Sequence, residues 1–253
     1  MSKELRVAIE AAKSASELQL NRLRTKLNVK SKSPKDFVTD VDAESNEIIC
    51  GKIKENFPQH TILSEESKSP SEVREFKWII DPLDGTVCYM TGLPTFGISI
   101  ALEKKGGLVA GVISLPCLRE MLSAEKGKGA FINGEKISVS NKKSLEVATG
   151  IIEMEPGKRA WQEYSGLFGS LFGKLRNMQS FPSAFGLSMV ASGRADFFVT
   201  ANSHSWDCAA GSLIIEEAGG TLTDFQGKSG PYISAVAASN GLLHKALLQE
   251  LNK

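Results

Sequence analysis

The 253-residue sequence has no apolar run approaching the roughly eighteen residues of a membrane span, and its start, Met1-Ser2-Lys3-Glu4, has no apolar core of an export signal. A membrane is therefore not an expected partner, and a cytoplasmic protein is expected. Four cysteines, at 50, 88, 117 and 208, lie far apart with no CxxC pair, which excludes a disulfide framework and reads as reduced thiols. The three histidines, His60, His204 and His244, lack metal-ligand spacing. His60 and His244 read as surface residues, and His204 as a core or rim residue. With 30 basic against 29 acidic residues, the chain carries no global field to draw nucleic acid. It has no internal repeat and no low-complexity segment.

What is present is unevenly placed. Residues 1–35 hold nine Lys or Arg against three Glu, whereas residues 36–85 hold five against twelve Asp or Glu. Acidity is thus concentrated in one stretch, and several of its acids border apolar strand residues, which a merely solvated face does not require. The length suffices to bury a large core, as one broad domain or two intimately packed halves.

The stretch Trp78-Ile79-Ile80-Asp81-Pro82-Leu83-Asp84-Gly85-Thr86 carries the most chemistry. An apolar strand holds the segment rigid, Pro82 sets a turn that lets Asp81 and Asp84 point into one space, and Gly85 lets the backbone approach a ligand. Two hard oxygen donors suit Mg²⁺ better than Zn²⁺. A helix starting after Asp84 would aim the amides of Gly85 and Thr86 at a phosphate. Alone, Pro-Leu-Asp-Gly is also ordinary surface-turn chemistry. A second segment, Ser205-Trp206-Asp207-Cys208-Ala209-Ala210-Gly211 with Leu213 to Gly220, favours the site: Asp207 opens a helix that Gly219-Gly220 stops.

The rest of the chain reads coarsely. Periodicity predicts a helix over 2–28, broken at Asn28, and a polar loop at 31–36. A second helix opens at Asp42, buries Ile48, Ile49, Ile53 and Phe57, and stops at Pro58. Strands are expected at 61–64 and 77–81, then a hairpin of 96–103 and 108–114 around Lys104-Lys105-Gly106-Gly107. Beyond residue 140, strands at 148–153, 176–181 and 196–199 alternate with helices near 158–173, 183–193 and 207–219. The acid-rich Asp40 to Asn46 fails as an EF-hand loop, because Ser45 stands where glycine is needed and Gly51 where the closing Glu belongs.

Three further segments join the two motifs: Asp36-Phe37-Val38-Thr39-Asp40-Val41-Asp42, Ile62-Leu63-Ser64-Glu65-Glu66-Ser67 and Gly127-Lys128-Gly129-Ala130-Phe131-Ile132-Asn133-Gly134. In order and nearly end to end, the chain resembles the inositol monophosphatase family of lithium-sensitive, Mg²⁺-dependent sugar-phosphate phosphatases. The resemblance implies an α+β / α/β chain folded as a layered α-β-α-β-α sandwich. Residues 1–140 would carry helices on an antiparallel sheet with most metal ligands, and residues 141–253 an α/β half completing the site. It also implies a homodimer and a small phosphorylated metabolite as substrate.

By the same resemblance, Glu65, Asp81 and the carbonyl of Leu83 hold one Mg²⁺, and Asp81 bridges to a second held by Asp84 and Asp207; a third ion is left open. Thr86 and Glu65 orient the attacking water, and Asp42 accepts from the Thr86 hydroxyl and helps remove a proton. Gly85, Thr86 and Cys88 meet the phosphate; Ser183, Thr200 and Asp207 meet the rest of the substrate. Asp42 reads equally as a helix N-cap, and Glu66 as a strand-end acid or an outer support. Departures bear on specificity. Where the family commonly has Gly-Thr-Thr-Asn-Phe, this chain has Gly85-Thr86-Val87-Cys88-Tyr89. Where inositol-specific members have Gly-Thr-Ala-Ala, it has Phe181-Pro182-Ser183-Ala184, and their inositol-reading glutamate aligns with Thr200. The expected activity is hydrolysis of a polyol or sugar phosphate of the inositol 1-phosphate or fructose 1,6-bisphosphate kind. Alternatives are 3′-phosphoadenosine 5′-phosphate or histidinol phosphate as substrate, or an inactive binding or regulatory member.

Overall fold

Successive residues of a strand point to opposite faces of its sheet, and Trp78, Ile79 and Ile80 are all fully buried, so this strand is covered on both sides. In the computed structural model, which describes residues 1–33, 36–67, 74–154, 165–166, 169 and 171–253, the two faces meet different helices.

Helix α1 (Lys3–Arg22) is capped by the Ser2 hydroxyl, which accepts from the Leu5 amide at 3.1 Å. Ala8, Ala11, Ala12 and Ala15 give it a smooth buried face. The helix ends six residues short of the expected break. Leu23 turns extended and Arg24 takes φ 62°, so that Leu23 and Leu27 can pack against Val41, Leu83, Tyr89 and Phe96. Their leucine spacing is helical, but tertiary burial outweighs it. An antiparallel hairpin of β1 (Val29–Ser33) and β2 (Asp36–Thr39) follows where a loop was expected. It leads into α2 (Asp40–Asn56).

A seven-stranded sheet takes β3 (Thr61–Ser64), β4 (Phe76–Asp84), β5 (Gly97–Lys104), β6 (Gly107–Leu115), β7 (Glu120–Glu125), β8 (Ala130–Ile132) and β9 (Glu135–Lys136) in that order. Short helix α3 (Thr86–Met90) follows β4. β3 runs parallel to β4 and the other pairs are antiparallel. The β5–β6 turn places Lys105 and Gly106 at φ 51° and 85°, the left-handed pair that a two-residue hairpin needs.

The second sheet has the order β11-β10-β12-β14-β13, built from β10 (Thr149–Ile152), β11 (Asn177–Gln179), β12 (Phe197–Thr200), β13 (Thr221–Thr223) and β14 (Val236–Ser239). Helices α4 (Ser183–Ala191), α5 (Ser205–Glu217) and α6 (His244–Leu251) belong to this half. β13 and β14 escape sequence reading because they are three and four residues long, and β14 is mostly small residues. The helix expected at 158–173 falls largely outside the described residues.

The layering follows from alternation. Trp78 and Ile80 join α1 and α2 in one core, while Ile79 packs with α4, α5 and the inner side of the second sheet at Ile151, Phe198 and Ala238. Phe197, Val199 and Ala237 point the other way, onto Leu247 of α6. The result is the α-β-α-β-α sandwich expected. The middle helices are shared, so residues from both halves fill one core.

Two histidines leave the surface positions expected of them. His60 is half-buried between Phe57 and Phe76, with ring centroids 4.8 and 4.6 Å away, and accepts from the Trp78 indole at 3.1 Å. His244 is buried between Thr223 and Ser239, at 2.9 and 3.0 Å. Of their partners, Phe76, Trp78 and Thr223 come from more distant elements, which no local pattern reveals. All four cysteines are free thiols. Among the described residues, no helix is long and apolar enough to cross a membrane.

Candidate active site

The arrangement begins with a miscount in β4. Asp81 pairs with Ser99 and Asp84 with Gly97, so three steps along β4 match two along β5. Cross-strand partners share a face, and Ser99 and Gly97 share theirs, so the extra residue brings Asp84 round to the side of Asp81. The strand was expected to stop at Asp81 in a turn. It continues through a bulge instead, the one kind of interior strand site that tolerates Pro82. Asp81, Pro82, Leu83 and Asp84 are all buried, which overturns the surface-turn reading.

The face they share is the one covered by α4 and α5. The hydroxyl of Ser99 donates to the Trp206 carbonyl of α5 at 2.9 Å. Gly97 lets α4 come close: a Cβ there would lie 3.2 Å from that of Ala184 and 2.9 Å from the Ser114 carbonyl. Through this gap the Ala184 amide donates to Asp84 Oδ2 at 2.7 Å.

Beyond the bulge, the Leu83 amide donates to Asp81 Oδ1 at 3.0 Å. Gly85 takes φ 81°, and a Cβ there would stand 2.8 Å from the Pro182 ring. It starts α3, whose first residue, Thr86, donates its hydroxyl to Asp42 Oδ1 at 3.0 Å, with the Leu83 carbonyl at 3.3 Å as a second acceptor. Asp42 is 2% exposed and does not cap α2 as expected. Thr39 is the N-cap, and Asp42 reaches back as the third helical residue, its Oδ2 accepting from the Thr39 amide at 2.9 Å and hydroxyl at 2.5 Å. Burial raises the Asp42 carboxyl above its ordinary range despite these hydrogen bonds. Cys88, two residues after Thr86, is half-buried on α3.

Asp207 stands in the first turn of α5, its Oδ2 accepting from the His204 amide at 2.6 Å. His204 itself is exposed and stacks on Trp206 with centroids 4.8 Å apart, a rim position. Glu65 follows β3, its amide tied to the Ile80 carbonyl at 3.1 Å beside the end of β4. Its side chain meets the Lys32 ammonium at 3.0 Å, and Lys32 reaches Glu66 at 2.5 Å.

Electrostatics bind the four acids into one group. Burial, then Glu65, Asp84 and Asp207, push the Asp81 carboxyl well above its ordinary range. Asp84 is pushed up to about 8 by burial, then by Asp207 and Glu65, against the Ala184 amide. Glu65 is raised by burial and by Glu66 and Asp207, against Lys32. Like charges gathered in a poorly hydrated space are an arrangement that a hard dication relieves, and carboxylate and carbonyl oxygens are the donors Mg²⁺ takes. Among the described residues, no group of three acidic, His or Cys side chains is drawn together closely enough to hold a metal ion as it stands. Each acid is held instead by its own amide or ammonium partner, Asp81 by Leu83, Asp84 by Ala184, Asp207 by His204 and Glu65 by Lys32.

The expected substrate residues fare unequally. Ser183 is buried, and both its amide and its hydroxyl donate to Glu153, at 3.1 and 2.5 Å. Glu153, the residue after β10, is a site neighbour that sequence reading missed. A lone Glu at a strand end gives no local sign that it will brace a helix thirty residues later. Thr200 is fully buried with its hydroxyl on the Asn202 carbonyl at 2.8 Å. Its hydroxyl is thus turned to its own loop, not to open space as its expected role requires.

A family model described as the inositol monophosphatase family matches residues 1–253. A Thermotoga maritima protein named fructose-1,6-bisphosphatase/inositol-1-monophosphatase is 40% identical over 89% of this chain and 87% of its own length. A Pseudomonas aeruginosa protein named Nus factor SuhB is 36% identical over 98% of this chain and 95% of its own. Among solved structures, the extragenic suppressor protein suhB from Bartonella henselae superposes with TM-score 0.95 at 33% identity, covering 100% of this chain and 99% of that one. By the whole-length family match, the shared layers and the identities, the chain belongs to the inositol monophosphatase family.

Proposed function

We propose that this chain is a Mg²⁺-dependent phosphomonoesterase acting on a small polyol or sugar phosphate. The observation that carries the reading is the convergence of Glu65, Asp81, Asp84 and Asp207, from three separate segments, into one electrostatic group next to the Thr86–Asp42 hydrogen bond. Glu65, Asp81 and the Leu83 carbonyl would hold one ion, and Asp81, Asp84 and Asp207 a second. Bound there, Mg²⁺ supplies charge neutralisation for the phosphate dianion and the departing alkoxide.

The chain's own groups handle the proton. The Thr86 hydroxyl gives its hydrogen to Asp42 Oδ1, which leaves its oxygen as an acceptor toward an attacking water. As water attacks phosphorus and the bond to the ester oxygen breaks, the water's proton passes to Thr86 Oγ1 while the Thr86 proton passes to Asp42, and the departing oxygen takes its proton from solvent. A buried carboxylate of raised pKa is the stronger base for this. Glu65 orients the water from the other side, and Gly85, Thr86 and Cys88 face the phosphate. The relative named fructose-1,6-bisphosphatase/inositol-1-monophosphatase supports the substrate class.

A second reading, a regulatory factor on the same fold, is favoured by the relatives named Nus factor SuhB. Retention of all four acids favours turnover. Phosphate release measured with Mg²⁺ across inositol, sugar, histidinol and adenosine phosphates separates the two. We expect activity abolished by EDTA, and kcat/KM for inositol 1-phosphate within roughly tenfold of other small phosphomonoesters, a gap of about 1.4 kcal/mol. The breadth follows because no carboxylate stands at position 200 to reject ligands lacking its partner hydroxyls. Mg²⁺ binding without release from any panel member would support the regulatory reading instead.

A further inference from the structure

Asp81 and Asp207 come from different halves of the molecule, one on β4 and the other on α5, and a shared cation tolerates only a narrow range of spacings between them. Much of the contact between α5 and the seven-stranded sheet is apolar: Leu213, Ile214 and Ile215 belong to the core that includes Ile79, Ala101 and Ile113. Such contact is non-directional, so it sets how far α5 lies from the sheet and only weakly where it lies along its own axis. Directional bonds occur at the two ends. At the C-terminal end, Glu217 accepts from the amides of Gly127 and Gly129, at 2.6 and 2.7 Å. At the N-terminal end, the Ser99 hydroxyl donates to the carbonyl of Trp206, the residue before Asp207.

Ser99 is also the direct cross-strand partner of Asp81, and it is fully buried. One side chain thus touches the backbone next to one acid from a position level with the other. We propose that Ser99 is a positioning residue that fixes the Asp81–Asp207 spacing and through it the affinity of the acidic group for a divalent cation. This rests on the reading of that group as the Mg²⁺ site. Ser99 touches neither substrate nor metal; it acts through the first turn of α5.

The test is calorimetric titration of the purified full chain with MgCl₂ alone, with melting temperatures in EDTA recorded in parallel. Ser99→Ala is expected to weaken Mg²⁺ binding roughly fivefold to twentyfold, with the Mg²⁺ concentration for half-maximal phosphate release rising by the same factor. Ser99→Cys keeps the volume with only a weak donor and serves if the alanine variant does not fold; it is expected to show the same direction of change. Ser114→Ala is the structural control. Ser114 is a buried serine of the adjacent strand whose hydroxyl pairs with Ser16 at 2.8 Å, and its loss should lower the melting temperature with Mg²⁺ affinity unchanged. Wild-type binding with Ser99 variants unchanged within twofold would overturn the proposal while leaving the metal site standing. Equal weakening in Ser114→Ala would overturn it too, as a mere stability effect. No Mg²⁺ binding by the wild type would remove the metal-site reading and this inference with it.

Discussion

The Thr86 hydroxyl lies 3.0 Å from Asp42 Oδ1, so the start of α3 is joined to the first turn of α2 across 44 residues of sequence. The bond spends the one hydroxyl proton and orients the oxygen for a second role. Thr86→Val keeps the shape and removes that oxygen, so kcat is expected to fall by about 10²-fold or more with the fold retained. Asp42→Asn should cost a similar factor, and the double variant little more than either alone, because the two act as one unit. Additive losses in steady-state assays would show that they act separately.

The buried acids make stability depend on pH in an unusual direction. Asp84, raised from 3.8 to about 8, and Asp81, raised the same way, keep protons in the metal-free folded state that the unfolded chain has already released. The native state therefore binds more protons than the unfolded one across that window, and stability falls as pH rises through it. Melting temperature in EDTA should drop between about pH 5 and about pH 8, by about 2–4 °C per kcal/mol lost in a chain of this size. Mg²⁺ should remove most of the slope, and so should Asp84→Asn for its share. His60 and His244, both depressed by burial, favour the opposite slope in the lower part of this window, so the comparison with the variant decides: equal slopes in EDTA for Asp84→Asn and the wild type would contradict the charge crowding.

Cys88 stands on α3 two residues past Thr86, where the proposed reading sets it against the phosphate. Cys88→Asn should alter KM more than kcat, because a group facing the phosphate meets ground and transition state alike. A kcat loss as large as that of Thr86→Val would place Cys88 in the reaction itself.

Gly97 controls how near α4 comes to Asp84. Gly97→Ala would set its Cβ 2.9 Å from the Ser114 carbonyl and 3.2 Å from the Ala184 Cβ, so backbone must shift. Overpacking of this kind costs about 1–3 kcal/mol. Since the shift lengthens the Ala184–Asp84 bond, weaker Mg²⁺ activation should accompany the stability loss. Stability lost in chemical denaturation with Mg²⁺ dependence untouched would show that α4 absorbs the change elsewhere.

Much of the candidate site is legible in the sequence because its parts are written locally. A strand ending in acids, a Gly-Thr step and an acid in the first turn of a helix each depend on neighbours within a few residues. The second sheet was less readable, since β13 and β14 are too short for alternation to register. The end of α1 was misjudged because Leu23 and Leu27 continue a helical spacing while packing outside the helix.

Sequence alone determined which acids could serve and, through the motifs that carry the resemblance, the family and the layers that this family implies. Only the tertiary structure decided that Asp84 shares a face with Asp81, because that is set by register against β5 and not by the spacing along β4. It also decided that Ser183 is bound to Glu153, that Thr200 is sealed inside, and that His60 and His244 are enclosed. Local preferences amount to tenths of a kcal/mol per residue, whereas burial and distant hydrogen bonds amount to about 1 kcal/mol or more each. Where the two disagree, burial and distant bonding prevail, and they belong to residues that meet only in the folded chain.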